Sequence, residues 1–131
     1  MKPRFLTVER VKQLHTDAIR KYGGSEGLRE PGMLDSALAM PRAGFGGNYL
    51  HENLFEMAAA YLYHLVQNHP FIDGNKRVGL DAALVFLRLN GKEVIATQDE
   101  IVDMVLQVAQ GKLHKPAIAD FLRQHAQPTS E

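Results

Sequence analysis

Two stretches of this chain, Leu54 to Asn68 and Asn75 to Asn90, are apolar on nearly every side, and helices of that kind have to be buried. The first carries Leu54, Phe55, Met57, Ala58, Ala60, Tyr61, Leu62, Leu65 and Val66, and its helical pattern extends back to Glu52. The second carries Val78, Leu80, Ala82, Ala83, Leu84, Val85, Phe86, Leu87 and Leu89 and stops at Gly91. This second helix is expected to be the central rod of an all-α bundle, with the remaining helices packed around it.

Those remaining helices are legible from spacing and caps. Thr7 stands as the N-cap of a first helix, with Val8, Val11, Leu14, Ala18 and Ile19 at helical intervals and Gly23-Gly24 ending it. Pro31 opens a second short helix running to Met40. Asp99 to Gln110 gives a fifth and Lys115 to His125 a sixth, so a compact six-helix bundle is predicted. Glu93 to Ala96 reads as a short extended piece. With 131 residues the chain is long enough for one domain with its own core, predicted over residues 1–126, and residues 127–131 read as a frayed tail. Ala43 to His51 holds three glycines and two aromatic residues, too mobile a composition for a helix, and reads either as an ordinary surface loop or as a functional flap.

Composition removes several classes of function. Fifteen basic and fifteen acidic residues leave no net charge, hence no electrostatic footprint for nucleic acid. Cysteine is absent, which excludes disulfides and thiol catalysis and agrees with a reducing compartment. The N-terminus lacks an apolar signal core, and no apolar run approaches the roughly 20 residues of a membrane span. A soluble, cytoplasmic protein without direct nucleic-acid or membrane partners is expected. The six histidines do not make a metal hydrolase: no pair sits three or four apart on one helix, and no His-Glu-x-x-His occurs.

The chemistry is concentrated between the two apolar helices, in His69-Pro70-Phe71-Ile72-Asp73-Gly74-Asn75-Lys76-Arg77. Asp73 and Gly74 precede a helix start, where unpaired backbone N–H groups and the helix dipole favour an anion. Lys76 and Arg77 place two cations in that first turn, against the preference of the dipole, which points to an anionic ligand. A phosphate fits: Gly74, Asn75, Lys76 and Arg77 offer amides, a point charge and a guanidinium fork. Asp73 would hold a divalent metal such as Mg²⁺, which takes one or two carboxylates along with phosphate oxygens. His69 is the group able to remove a proton from an attacking hydroxyl near neutral pH. Asp81, one turn after Arg77, would pair with it and aim the fork, in preference to touching metal. Together the residues point to metal-assisted phosphoryl or nucleotidyl transfer, and Phe71 would anchor the loop by pointing inward. His64, on the preceding helix, reads as a partly buried histidine bonded to a neighbour.

His69, Phe71, Asp73, Gly74, Asn75 and Arg77 resemble the Fic (filamentation induced by cAMP) signature, histidine-x-phenylalanine-x-acidic-glycine-asparagine-x-arginine-x-x-arginine. Lys76 stands where nucleotidyl-transferring members carry glycine, and Leu80 where they carry the final arginine. In those departures, in its short length and in Lys21-Tyr22-Gly23-Gly24, the chain is similar to the Doc (death on curing) branch, whose members are toxins of type II toxin–antitoxin pairs. The resemblance implies the Fic/Doc bundle, with a flap near residues 43–51 that aligns the target. It implies a kinase that uses ATP and Mg²⁺, transfers the γ-phosphate to a threonine of elongation factor Tu and so stops translation and growth. Adenylyl transfer to a protein hydroxyl is the alternative, and an inactive nucleotide-binding module a second.

Regulation is read from a missing brake. Many Fic enzymes carry an inhibitory helix with serine or threonine four residues before a Glu-Gly or Glu-Asn pair. Here Tyr22 precedes Glu26-Gly27 and Asn48 precedes Glu52-Asn53 at that distance. The resemblance implies restraint by a separate, Phd-like antitoxin whose tail folds as a helix into a hydrophobic groove.

Overall fold

Extended backbone at Thr7 lets its hydroxyl accept from Arg10 N at 3.0 Å, and from that cap the first helix, α1 (Val8–Tyr22), begins. In the computed structural model, which describes residues 2–129, five more helices follow among the described residues: α2 (Pro31–Ala39), α3 (Leu54–Asn68), α4 (Asn75–Leu89), α5 (Gln98–Ala109) and α6 (Lys115–Gln124). The bundle is therefore mostly helical, and its helices lie within a residue or two of the spans that hydrophobic spacing predicts. α3 starts two residues later than Glu52 because Asn53 takes the cap, its side chain accepting from Glu56 N at 3.0 Å. α5 opens with a reciprocal capping box between Thr97 and Glu100.

α3 and α4 make the most extensive contact in the molecule, and α3 also packs against α6 and α2. Gly79 permits the closest approach: a Cβ there would lie 3.2 Å from the Leu62 carbonyl and 3.1 Å from Val66 Cγ2. The core runs through Tyr61, Leu62 and Leu65 of α3 and Val78, Phe86 and Leu87 of α4, all fully buried. The Tyr61 hydroxyl oxygen accepts from Leu6 N at 2.9 Å, so this fully buried ring does not leave its oxygen unpaired. Asn90, at the end of α4, holds the N-terminal segment by a two-way bond with the Arg4 backbone at 2.8 and 3.0 Å.

Residues 43–51 do form a hairpin. β1 (Gly44–Phe45) and β2 (Asn48–Tyr49) pair antiparallel around Gly46-Gly47, both in left-handed backbone, as the tight turn requires. The tail is more ordered than its composition suggests. Ala126–Pro128 is a strand, β4, antiparallel to β3 (Lys92–Val94), and Thr129 N continues the ladder to Gly91 O at 3.1 Å. The expected frayed tail is thus corrected for residues 127–129, and its last two residues, 130–131, lie outside the described residues. No helix among the described residues is long and apolar enough to cross a membrane.

Candidate active site

α3 ends at a residue that breaks the backbone rule. His69 has φ 53° and ψ 51°, and it is the one non-glycine with positive φ among the described residues. Such a conformation costs about 1–3 kcal/mol and persists only where its surroundings impose it. The imposing group comes from the link between α1 and α2. Arg29 donates through Nε to His69 O at 2.9 Å and through a terminal nitrogen to Asn68 O at 3.2 Å, satisfying carbonyls that the helix end leaves open. Arg29 N and Glu30 N both donate to Pro70 O, at 2.8 and 3.0 Å, and Ile72 N donates to Gly27 O at 3.0 Å. Residues 27–30 are therefore a splint laid along the outside of the loop.

The inside of the loop is held as firmly. Phe71 is buried and stacks on the His15 ring with centroids 3.8 Å apart, while His15 Nε2 bonds the Asp73 carbonyl at 2.7 Å. Asn75 is 4 % exposed. Its Oδ1 accepts from Phe71 N at 3.0 Å, and its Nδ2 donates to Phe71 O at 2.9 Å and meets His69 Nδ1 at 2.7 Å. The Asp73 carboxylate accepts from Gly74 N at 2.9 Å and from Ser25 N at 3.2 Å. Gly24 makes the second contact feasible, since a Cβ there would sit 2.7 Å from Asp73 Oδ2.

α4 then begins at Gly74 in left-handed backbone with no side-chain cap, and Val78 N is the first amide to reach a carbonyl of the turn, Gly74 O at 2.9 Å. The amides of Asn75, Lys76 and Arg77 are the orphan donors of that helix end, beside two exposed cations. Arg77 is half engaged. Its Nε bonds Asp81 at 3.2–3.3 Å, and its guanidinium lies 4.3 Å from the Tyr22 ring centroid, leaving the outer nitrogens for a phosphate. Burial pushes the Asp81 carboxyl upward, an effect opposed by Arg77 and Lys21.

These groups form one wall of a cleft of about 960 Å³. Its polar side carries His69, Asp73, Lys76 and Arg77, and its apolar side runs along Leu80 and Leu84 of α4 and Ile101, Val105 and Leu106 of α5. A divalent metal fits the donor set at Asp73. Each carboxylate oxygen accepts a single backbone N–H and keeps lone pairs free, and Mg²⁺ needs no more than one carboxylate when phosphate oxygens and water complete its shell. Among the described residues no three acidic or histidine side chains gather into a cage that would hold a metal unaided.

His69, Asp73, Gly74, Asn75, Lys76 and Arg77 therefore meet at one cleft, with Asp81 behind Arg77 and Phe71 turned inward as the anchor of the loop. The Asn75 side chain is spent inside the loop, so its backbone N–H is the group it offers to an anion. Arg29 and His15 belong to the site as well and have no signature in the sequence, and Tyr22, part of the Lys21-Tyr22-Gly23-Gly24 segment, joins it by its ring against Arg77. His64 bonds Lys115 Nζ at 3.0 Å, outside this cleft.

A histidine held at a helix end, an anion-binding helix start and a buried asparagine between them define a class of protein, and comparison with known families agrees. The Fic/DOC family matches residues 5–87, and the chain belongs to it. Over 120 residues, 92 % of this chain and 94 % of the other, it is 34 % identical to "Protein kinase doc" of Escherichia phage P1. It is also 39 % identical over 90 residues, 67 % of this chain and 69 % of the other, to "Toxin Doc" of Mycolicibacterium smegmatis.

Proposed function

We propose that this protein is the toxin of a toxin–antitoxin pair and transfers the γ-phosphate of ATP to a threonine hydroxyl of elongation factor Tu in the cytoplasm. The observation that carries the kinase reading is the character of the α4 face after Arg77. One turn on, where a second arginine would extend the phosphate site, Leu80 is 7 % exposed and belongs to the apolar wall. Cationic groups are thus confined to the loop end, and Lys76 adds a side chain where a triphosphate lying along the helix would need room. The names of the two relatives, a protein kinase and a toxin, support the same reading.

In this reading the amides of Asn75, Lys76 and Arg77, the Lys76 ammonium and the outer nitrogens of Arg77 bind the transferred phosphate and its neighbour. Asp73 would hold Mg²⁺, whose charge offsets that of the phosphates. His69 accepts the hydroxyl proton at Nε2 as the new O–P bond forms, and the flap residues 43–51 align the target segment. A Phd-like antitoxin restrains the enzyme from outside, with a helix seated along the apolar wall of the cleft.

The test is transfer of label. Purified protein is incubated with Mg²⁺, elongation factor Tu and ATP labelled on the γ- or the α-phosphate, with His69→Ala as control. Movement of the γ-label, lost in His69→Ala, is expected. Movement of the α-label would replace phosphoryl by adenylyl transfer, and movement of neither, in lysate as well, would leave a nucleotide-binding module.

A further inference from the structure

A histidine takes a proton on Nε2 only when that nitrogen carries a lone pair, and the contacts of Asn75 decide which nitrogen of His69 does. The backbone of Phe71 fixes the orientation of the Asn75 amide, because the Phe71 N–H needs Oδ1, 3.0 Å away, and the Phe71 carbonyl needs Nδ2, 2.9 Å away. Turning the amide over would set donor against donor and acceptor against acceptor. Nδ2 is a donor only, and it lies 2.7 Å from His69 Nδ1, so Nδ1 has to accept. A neutral imidazole carries one N–H, which is thereby assigned to Nε2.

We propose that Asn75 is a positioning residue that sets the tautomer of His69. The loop as it stands holds the Nε2–H form, a hydrogen-bond donor toward the cleft, and the proton-accepting form arises only when the Asn75 amide releases Nδ1. The proton count closes without another reagent: Nε2 gives its proton to water, Nδ1 gains one from water, and Nε2 then receives the hydroxyl proton as the O–P bond forms. The consequence for catalysis rests on the reading of His69 as proton acceptor; the tautomer does not. Burial of Asn75 and its three contacts make this resting state a property of the loop itself.

The experiment is ¹⁵N NMR of the full chain at mildly alkaline pH. Long-range ¹H–¹⁵N correlations distinguish the two neutral tautomers, and a scalar coupling across the hydrogen bond between Asn75 Nδ2 and His69 Nδ1 identifies the donor. The expected result is the Nε2–H pattern for His69 with that coupling present; an Nδ1–H pattern, or no coupling once both groups are assigned, overturns the proposal. In Asn75→Asp a carboxylate replaces the donor, and His69 is expected to change to Nδ1–H. A folded Asn75→Asp protein that keeps Nε2–H would show that Asn75 does not set the tautomer. Should that variant fail to fold, the wild-type coupling decides by itself. If neither phosphate label moves in the transfer assay, the kinase reading falls while the NMR result still stands or fails separately.

Discussion

His69 owes its backbone conformation to Arg29, a residue 40 positions earlier that touches carbonyls and no reacting atom. Arg29→Ala would replace the fork on the carbonyls of Asn68 and His69 by mobile water and let the residue relax toward ordinary angles. An ångström of drift in a catalytic group costs roughly 10²-fold in rate. On the proposed reading, the expected result is a fall of about that size in kcat, with the KM for ATP little changed, since the amides assigned to the phosphates belong to α4. Arg29→Lys should recover only part of it, lacking the two-pronged fork. Steady-state kinetics with Tm measured in parallel tests this, and a loss of activity that merely tracks Tm would contradict it. Gly24→Ala probes the other carboxyl-bearing side of the loop. The new Cβ would clash with Asp73 Oδ2, at a φ of 118° that suits glycine, so a loss of about 1–2 kcal/mol is expected along with a raised Mg²⁺ requirement for transfer. Denaturant unfolding and a Mg²⁺ titration measure the two effects. The motif residues were legible because the chemistry lies in nine consecutive positions, and Asp81 because helical spacing places it behind Arg77. Arg29 and His15 were not, since the contacts that give them meaning span 40 and 58 positions and their residue types are common. For Asn75 the sequence pointed to the site, but only the fold shows that its side chain serves the loop.

The helices were readable because each needs only its own periodicity and caps, whereas strands depend on partners. Ala126-Gln127-Pro128 has no strand pattern of its own and is ordered by the edge that Lys92–Val94 offers it. A second long-range arrangement joins elements outside the cleft. Lys115 Nζ, at the start of α6, lies 3.0 Å from His64 Nε2 of α3 and 3.3 Å from Nε2 of His51, the last residue of the flap. Burial, then Lys115, then His51 push His64 down to about 4, and burial and Lys115 also lower His51. Both rings are therefore neutral when folded at pH values where the unfolded chain would already bind protons. The contribution of His64 to stability is complete above the ordinary histidine value of 6.5 and is lost as pH falls from there toward about 4, and that of His51 is lost in the same direction. Because His64 is only half buried, solvent limits the loss to roughly 1–2 kcal/mol, a few degrees in Tm. Lys115→Met removes the cation between the rings. In that variant the titration midpoint of His64, followed by NMR, should rise and the fall in Tm between pH 7 and pH 5 should flatten. An unchanged midpoint would show that burial alone sets it.

At the scale of the whole molecule, one cleft has a polar end made by the loop and an apolar side made by α4 and α5. Val102 and Leu106 of α5 are 47 % and 43 % exposed there. An amphipathic helix, about 10–12 Å across with its side chains, can lay an apolar face on such a wall and would then stand over the phosphate end. If restraint comes from a partner helix in this position, changing the wall should separate inhibition from catalysis. Leu106→Glu puts a carboxylate on an exposed position, where the stability cost stays within about 0.5 kcal/mol, while the same charge buried under an apolar helix would be left unpaired and cost several times more. Transfer of label should then proceed at close to the wild-type rate and no longer be suppressed by added antitoxin, with binding weakened by a factor of 10² or more in calorimetry. Full suppression of Leu106→Glu would place the antitoxin elsewhere on the bundle. A matching loss of catalysis would mean instead that the nucleotide itself occupies the apolar side. The two occupants thus make opposite predictions for a residue that touches neither His69 nor Asp73.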